Sequence, residues 1–168
     1  MFTLKSQLET EHFTLIQTEP AHFADLYQVA GNPLVWQQHP ERDRWKQEKF
    51  TAFFNAGLNN DLGCFSIKDK HLSVFIGSTR FYSYYASDNS VRLGYTFLRL
   101  DYWGTSANAE IKKVLLDYAF DQVDPVYFDI GKRNIRSRKA TEKLGAFIFE
   151  PNGDDKVVYA LNRENYIL

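Results

Sequence analysis

The stretch VRLGYTFLRLDYWGTSANAEIKKVLLDYAFDQVDPVYFDI, residues 91–130, decides the fold. Residues 91–98 and 126–130 are short apolar runs that predict strands, and residues 106–122 between them predict a helix. Strand, helix and strand in this order are typical of a βαβ unit, whose two strands lie parallel in one sheet. Alternation in the first strand predicts four side chains on one face: Val91, Leu93, Tyr95 and Phe97.

The helix between these strands has the clearest pattern. Apolar residues recur at the spacing of a packed helix face: Ile111, Val114, Leu115, Tyr118 and Ala119. Polar residues occupy the opposite side: Glu110, Lys113, Asp117 and Asp121. In the strand before it, Gly94 indicates a bulge or the close approach of another backbone.

The rest of the chain supplies further strands and helices around this unit. Strands are predicted at residues 12–18, 63–69, 72–85, 146–150 and 156–161, and helices at 20–31, 44–58 and 134–144. Asn134 is the predicted N-cap of the last helix, and Gly145 ends it. The turn Pro151–Asp155 joins the last two strands. The pattern predicts an α/β domain with a mixed sheet.

Composition limits the class of protein. The 168 residues, 44% hydrophobic and 16% aromatic, predict a single domain over residues 1–168. A net charge of -1 lacks the basic excess of a nucleic-acid surface. The single cysteine, Cys64, excludes an intramolecular disulfide, and the four histidines show no metal-ligand spacing. With no signal peptide and no apolar run of about 18 residues, we expect a cytoplasmic protein without a metal.

The loop Gly104–Asn108 leads from the strand into the central helix. The first N–H groups of a helix lack internal partners and carry partial positive charge, so small residues there let a phosphate approach the backbone. The loop matches neither G-x-G-x-x-G nor G-x-x-x-x-G-K-[ST], so nothing supports a dinucleotide oxidoreductase or a P-loop NTPase. Taken alone, the loop is better interpreted as an ordinary turn with Ser106 or Asn108 near the helix cap.

The wider run is more informative. The segments VRLGYTFLRLDYWGTSANAEIKKVLLDYAF and GKRNIRSRKATEKLGAFIFE resemble the GNAT N-acetyltransferase superfamily, most closely the branch of ribosomal-protein N-terminal acetyltransferases. That branch has a strand with GY, the loop YWGKGYATEA, a helix with LLxYAF and the run NxxSxxxxEKLGF. The matching residues, in register, are Gly94-Tyr95, Tyr102-Trp103-Gly104, Glu110, Tyr118-Ala119-Phe120, Asn134, Ser137 and Glu142–Gly145. The resemblance is strongest over residues 76–150.

The resemblance implies a mixed, mostly antiparallel central sheet, with helices on both faces and a parallel βαβ unit splayed for acetyl-CoA. Backbone groups would bind the cofactor: Trp103, Gly104, Thr105, Ser106, Ala107 and Asn108 its diphosphate, and Phe97 and Leu98 its pantetheine arm. Asn134 and Ser137 would contact it from the next helix. The chain departs from the family where Ser106 replaces a glycine and Thr105 a basic residue.

Acetyl transfer to an amine needs a polarised thioester carbonyl, a neutral amine and a stabilised leaving thiolate. A backbone N–H freed by a bulge at Tyr95 would polarise the carbonyl. The tyrosine acid of many family members corresponds to Thr141, so Ser137 is the candidate acid, and helix capping is an equal alternative for it. His39 is the candidate base, although a lone histidine beside proline is more often a surface residue.

We therefore expect an N-acetyltransferase that moves an acetyl group from acetyl-CoA to a primary amine, of a protein N-terminus or a small molecule, by direct attack in a ternary complex. The alternative is a non-catalytic acyl-CoA-binding or interaction module, which Ser106 and Thr141 favour. A third hypothesis is a protein or RNA partner of the basic segment Gly131–Lys139, although a solvated helix face explains that segment at least as well. Neither nucleic acid nor membrane is an expected partner. The aromatic segment Arg80–Ser90 would suit a homodimer.

Overall fold

The computed structural model describes residues 2–150 and 155–167, and its strands form one sheet. Within these ranges there are eight strands: β1 (Gln7–Glu9), β2 (Phe13–Gln17), β3 (Cys64–Asp69), β4 (Phe75–Tyr85), β5 (Ser90–Leu98), β6 (Pro125–Gly131), β7 (Phe147–Glu150) and β8 (Lys156–Asn162). The same ranges contain four α-helices: α1 (Phe23–Ala30), α2 (Gln47–Leu58), α3 (Ala107–Phe120) and α4 (Ile135–Glu142). None of these helices is long and apolar enough to cross a bilayer.

The strand order in the sheet is β1-β2-β3-β4-β5-β6-β8-β7. Within the described ranges only β5 and β6 pair in parallel, and α3 connects them as the predicted βαβ unit. Every other neighbouring pair is antiparallel. The predicted mixed, mostly antiparallel sheet with helices on both faces is therefore confirmed.

The two parallel strands separate soon after they meet. Their pairing is limited to Val91 with Val126 and Arg92 with Tyr127. Beyond Arg92, the edge of β5 that faces β6 has no strand partner among the described residues. A cleft therefore opens between the carboxyl ends of β5 and β6, bordered by backbone N–H and C=O groups that a bound ligand could satisfy.

A bulge interrupts β5 where Gly94 predicted one. Gly94 lies opposite Arg80 and Phe97 lies opposite Ser78, so two residues of β5 face a single residue of β4. Tyr95, at the bulge, has a φ of 53°. The extra residue reverses the alternation: Val91 and Leu93 pack into the core that contains α3, and Phe97 packs into the core that contains α1 and α2. The prediction of one face for Val91, Leu93, Tyr95 and Phe97 is wrong, because a bulge shifts the two-residue period by one.

Two apolar cores fix the sheet between its helices. The first contains α3 side chains against the sheet, including Ile111, Leu115, Leu116, Leu15, Phe65, Ile67 and Phe81. The second is largely aromatic and joins α1 and α2 to the opposite face, including Leu26, Val29, Trp36, Phe50, Phe53, Phe54 and Phe97. The cleft between β5 and β6 thus opens in a sheet supported on both faces.

The ends of the elements differ from the predictions by a few residues. The helix predicted over 44–58 begins at Gln47, because Lys46 has an extended backbone (ψ 135°). The helix predicted over 20–31 is a 3₁₀ turn at Pro20–His22 followed by α1. The sequence analysis missed the three-residue strand β1. Residues 151–154 of the predicted turn Pro151–Asp155 lie outside the described residues.

Candidate active site

The first turn of α3 lies at the open end of the cleft. Gly104 has a φ of 73°, and a Cβ there would meet nothing within 4 Å, so the glycine is needed for its conformation rather than for space. Thr105 Oγ1 accepts a hydrogen bond from the Ala107 N–H (3.2 Å). The first backbone bond of the helix runs from the Glu110 N–H to the Ser106 oxygen (3.0 Å). The N–H groups of residues 108 and 109 precede it and remain for a ligand.

Ser106 replaces the family glycine without distorting this turn. Its backbone is helical (φ -72°, ψ -9°), a conformation that any L residue adopts. Its side chain is exposed and forms no cap hydrogen bond. The substitution therefore leaves the backbone of the loop free of strain.

In the first turn of α4, backbone N–H groups already donate to side chains of the protein. Asn134 Oδ1 accepts a hydrogen bond from the Ser137 N–H (3.2 Å), so the predicted N-cap is confirmed. Gln38 Oε1 accepts one from the Arg136 N–H (3.2 Å). Of the two helices that flank the cleft, α3 is therefore the one whose N-terminal amides are open to an anion.

Trp103 connects the loop to both sides of the cleft. Its Nε1 donates to the Leu98 oxygen at the end of β5 (3.0 Å). The guanidinium of Arg136, at the start of α4, lies 3.5 Å from the centroid of its ring. The structure thus brings together the predicted cofactor residues on β5, in the loop and at the start of α4. Another arginine of the basic segment, Arg138, donates to Tyr159 within the protein (3.0 Å).

His39 lies in the segment between α1 and α2. Its Nδ1 accepts the Glu41 N–H (3.0 Å), so the proton of the neutral ring belongs on Nε2, which faces Arg44 Nη1 at 3.3 Å. Burial and the charge of Arg44 lower the pKa of His39 to about 4, so the ring is neutral at pH 7. Its role as general base stays a prediction. The one lone pair of this neutral ring, on Nδ1, already accepts the Glu41 N–H, and such a low pKa makes the ring a weak base.

The segment that carries His39 packs closely against the end of β6. A Cβ on Gly131 would lie 2.7 Å from Pro40 Cγ, so only glycine allows this approach. A cavity of about 310 Å³ lies at the contact, lined in part by Gln38, His39 and Gly131. Trp36 completes the connection, since its ring packs on His39 (5.7 Å) and on Phe97 (5.2 Å). His39 therefore borders the side of the cleft that faces α2.

Two arginines beside the bulge were missed by the sequence analysis. Arg80 is 4% exposed; its Nη2 donates to the Phe53 oxygen (3.2 Å), and its Nε has no partner among the described residues. Its guanidinium lies 4.1 Å from the centroid of the Tyr95 ring and 4.7 Å from that of Phe53. The Arg44 guanidinium lies 4.5 Å from the Phe53 centroid and 5.2 Å from that of Trp36. Two cations therefore share one aromatic ring.

Lys112 was also missed, although its spacing gave a signal. It precedes Leu115 and Leu116 by three and four residues, which places it on the buried side of α3. It is 9% exposed, and its Nζ donates to Thr96 Oγ1 (3.2 Å) at the bulge. Burial alone lowers its pKa to about 8. The described residues contain no group of three or more acidic, histidine or cysteine side chains that could hold a metal.

Comparison with known proteins agrees with this geometry. Residues 12–146 match the model of the acetyltransferase (GNAT) domain. No curated protein sequence matches the chain. A solved structure from T. thermophilus, assigned as an acetyltransferase, is 25% identical with a TM-score of 0.79, covering 98% of this chain and 93% of that one.

Two more distant structures share the fold. A GCN5-related N-acetyltransferase from Brucella melitensis is 13% identical with a TM-score of 0.83, covering 98% of this chain and 82% of that one. A Vibrio cholerae protein assigned as a ribosomal-protein-serine acetyltransferase is 16% identical with a TM-score of 0.73, covering 93% and 97%. Because the family model matches most of this chain, the chain belongs to the GNAT acetyltransferase family.

Proposed function

We propose that this protein transfers an acetyl group from acetyl-CoA to a primary amine by direct attack in a ternary complex. The observation that carries the proposal is the open N-terminus of α3 at the mouth of the cleft between β5 and β6. A diphosphate fits the free N–H groups of residues 108 and 109 and the helix dipole. The space beside Gly104 is open, since an added Cβ there would meet nothing within 4 Å.

The chain's own groups would divide the work of binding. Backbone groups at Phe97 and Leu98 would bond the pantetheine arm, and the loop Trp103–Asn108 would bind the diphosphate. Asn134 and Ser137 would border the cofactor from α4. Acetyl-CoA supplies an activated thioester, so the protein needs no nucleophilic side chain and acts mainly by positioning.

Three residues are proposed for the chemistry. A backbone N–H freed by the bulge at Tyr95 would polarise the thioester carbonyl. Ser137, half-buried at the start of α4, would donate a proton to the leaving thiolate, since the corresponding tyrosine position is the buried Thr141. His39 is the proposed base. The burial of Thr141 supports the second candidate function, a non-catalytic acyl-CoA-binding module, which would bind CoA without releasing thiol.

The proposal also covers the acceptor amine, the cellular location and the oligomeric state. A protein N-terminus, as in ribosomal-protein acetyltransferases, and a small amine are the two acceptor classes. We place the reaction in the cytoplasm and propose a homodimer. Tyr85, 48% exposed in the segment predicted for the interface, supports that contact.

Thermal unfolding with acetyl-CoA tests the proposed function. A ligand at a hundred times its dissociation constant adds about 2.7 kcal/mol, which for this size raises Tm by roughly 5–10 °C. We expect that rise with acetyl-CoA, and none with NADH or ATP. Ser106→Glu should abolish it: the added carboxylate suits a helix N-terminus but repels the diphosphate. Gln28→Glu adds the same charge on the exposed side of α1 and is the matched control.

Two results would contradict the proposal. If acetyl-CoA leaves Tm unchanged, the protein has lost its cofactor. If Ser106→Glu keeps the full shift, acetyl-CoA binds elsewhere. A shift without thiol release over a broad panel of amines would support the non-catalytic module instead.

A further inference from the structure

Arg80 is buried and Arg44 is half-buried, and neither cation has an ion-pair partner among the described residues. In the described part of the chain, no carboxylate forms an ion pair with either guanidinium. Asp43 pairs instead with Lys46 (3.6 Å). Glu41 and Asp43 act on Arg44 only from a longer range, by raising its pKa. Neither arginine therefore has a carboxylate in direct contact among the described residues.

The protein only partly offsets this charge. Burial lowers the pKa of both arginines, and the charge of Arg80 lowers that of Arg44 further, so the two cations repel each other. Cation–π contacts with Phe53, Trp36 and Tyr95 stabilise them, but one Phe53 ring serves both. The buried Arg80 Nε still lacks an acceptor among the described residues. The unpaired buried donor of Arg80 and the two guanidinium charges without an ion-pair partner together favour an anionic ligand.

Their position shows which ligand group would reach them. Both lie beside the bulge of β5, on the face that packs against α2. The diphosphate of acetyl-CoA belongs at the other end of the cleft, at the N-terminus of α3. The anion beside the bulge therefore comes with the second substrate.

We propose that Arg44 and Arg80 bind an anionic group of the acceptor, so that the substrates of this enzyme are primary amines that also carry a carboxylate or a phosphate. This inference rests on the proposed acetyl transfer. A guanidinium presents paired N–H donors that match either oxyanion. Tyr95, 42% exposed, lies over Arg80, so the anion enters beside its ring. The two positive charges also disfavour the protonated amine, which keeps the attacking nitrogen neutral.

Matched amine pairs test the proposal by thiol release from acetyl-CoA. Each pair differs by one anionic group: leucine and isopentylamine, phenylalanine and phenethylamine, O-phosphoethanolamine and ethanolamine. We expect kcat/KM to be about tenfold or more higher for the anionic member of at least one pair. The amino acids and the phosphate ester then identify which oxyanion is preferred.

Variants test whether the two arginines cause the preference for anionic amines. Arg44→Gln should raise KM for the anionic amine about tenfold or more and leave KM for acetyl-CoA unchanged. Arg44→Lys keeps the positive charge but not the paired N–H donors of a guanidinium, so it should restore part of the affinity for the anionic amine. Lys49→Gln removes an exposed charge from α2 and is the matched control. Because Arg80 is buried, Arg80→Lys is used only after its unfolding curve matches that of the wild type.

A second readout does not depend on turnover. Binding of the N-acetylated anionic product, measured by calorimetry with CoA present, should weaken in Arg44→Gln to a similar degree. The proposal is overturned if anionic and neutral amines react equally, in which case the cations act on the reacting carbonyl. It is also overturned if no anionic product binds while acetyl-CoA still raises Tm. Loss of the acetyl-CoA shift itself would instead refute the proposed function.

Discussion

Single residues place positive charge on both faces of the sheet at the bulge. Arg80 lies on the α2 side, stacked on Tyr95. Lys112 approaches from α3 and donates to Thr96, whose hydroxyl lies 2.7 Å from that of Thr79. Neither cation has a carboxylate partner in the described ranges. The region proposed to bind the substrate therefore carries two cations without a carboxylate partner, and their burial lowers the folding stability.

The loss of folding stability caused by burying the Lys112 ammonium can be measured. Its folded-state pKa, about 8, lies below the ordinary 10.5. Between these values the unfolded chain binds more protons, so stability rises with pH there, and the full penalty applies below pH 8. A shift of this size corresponds to about 3 kcal/mol. Lys112→Met should therefore raise the free energy of unfolding at pH 7 by up to that amount, and the gain should shrink between pH 8 and 10.5.

Urea unfolding at pH 7 and pH 9.5 checks this expectation. Lys113→Met is the matched control, because Lys113 is exposed and pairs with Asp117 one turn later (2.8 Å). Such a pair contributes only about 0.3–0.5 kcal/mol, so its loss should be small. A Lys112→Met protein less stable than the wild type at pH 7 would show that the ammonium is well solvated.

Substitution of Ser137 distinguishes a catalytic role of its hydroxyl from a role in capping α4. The cap on α4 uses the Ser137 N–H and not its hydroxyl, so Ser137→Ala keeps the helix intact. If the hydroxyl protonates the thiolate, kcat should fall about a hundredfold while KM for acetyl-CoA stays the same. Ser87→Ala, at an exposed serine, controls for the loss of a hydroxyl. Unchanged turnover would remove Ser137 from the mechanism.

Among the elements, α3 and α4 differ in whether the N–H groups of their first turns are free or already bonded. In the first turn of α3 the Ser106 side chain forms no cap, and the N–H groups of residues 108 and 109 open on the cleft. The first turn of α4 is closed by Asn134 and by Gln38 from the segment before α2. This contact also fixes the segment that carries His39 and Arg44 against the far side of the cleft. The first turn of α4 therefore holds the segment that is proposed to face the acceptor.

Removal of this cap gives a prediction at the element scale. Asn134→Ala should lower stability by about 1 kcal/mol, which lowers Tm by roughly 2–4 °C. Asn134→Asp keeps an acceptor at the same position and should retain most of the stability. Differential scanning calorimetry of the three proteins compares them directly. Equal losses in both variants would mean that the amide N–H groups, and not Oδ1, stabilise the helix.

At the scale of the whole molecule, the cleft results from the way the sheet is held. On one side, β5 pairs with β4 along most of its length, up to Leu98. On the other side, β6 pairs with β8 along all of its length, from Pro125 to Gly131. Each strand keeps one full partner, so the two can diverge from each other after Arg92 without loosening the sheet. The expectation of a single domain over residues 1–168 stays a prediction.

Hydrogen exchange maps this divergence. Amides of residues 93–98 that face the cleft should exchange faster than those in the β2–β3 ladder, which is paired throughout. Acetyl-CoA should slow exchange at residues 93–98 and 107–109 and leave the β2–β3 ladder unchanged. NADH is the negative control. Uniform slowing over the whole sheet would indicate general stabilisation instead of binding in the cleft.

Local patterns were sufficient to predict most elements and the loop and helix cap on which the proposed site is built. The helical spacing from Ile111 to Ala119 and the Gly104 loop predicted α3 and its open start, because both depend on neighbours in sequence. Asn134 was recognised as a cap for the same reason. The faces of Tyr95 and Phe97 were predicted wrongly, since Gly94 indicates a bulge without fixing its register.

The sequence by itself determined the order of elements, the parallel unit and the start of α3, which follow from periodicity, capping and handedness within short segments. Only the tertiary structure decided that Arg44, Arg80 and Tyr95 meet around Phe53, and that Lys112 reaches Thr96 beneath the bulge. These contacts join residues from different elements. They depend on the register of β4 against β5 and on how α2 and α3 pack across the sheet, and local sequence encodes neither.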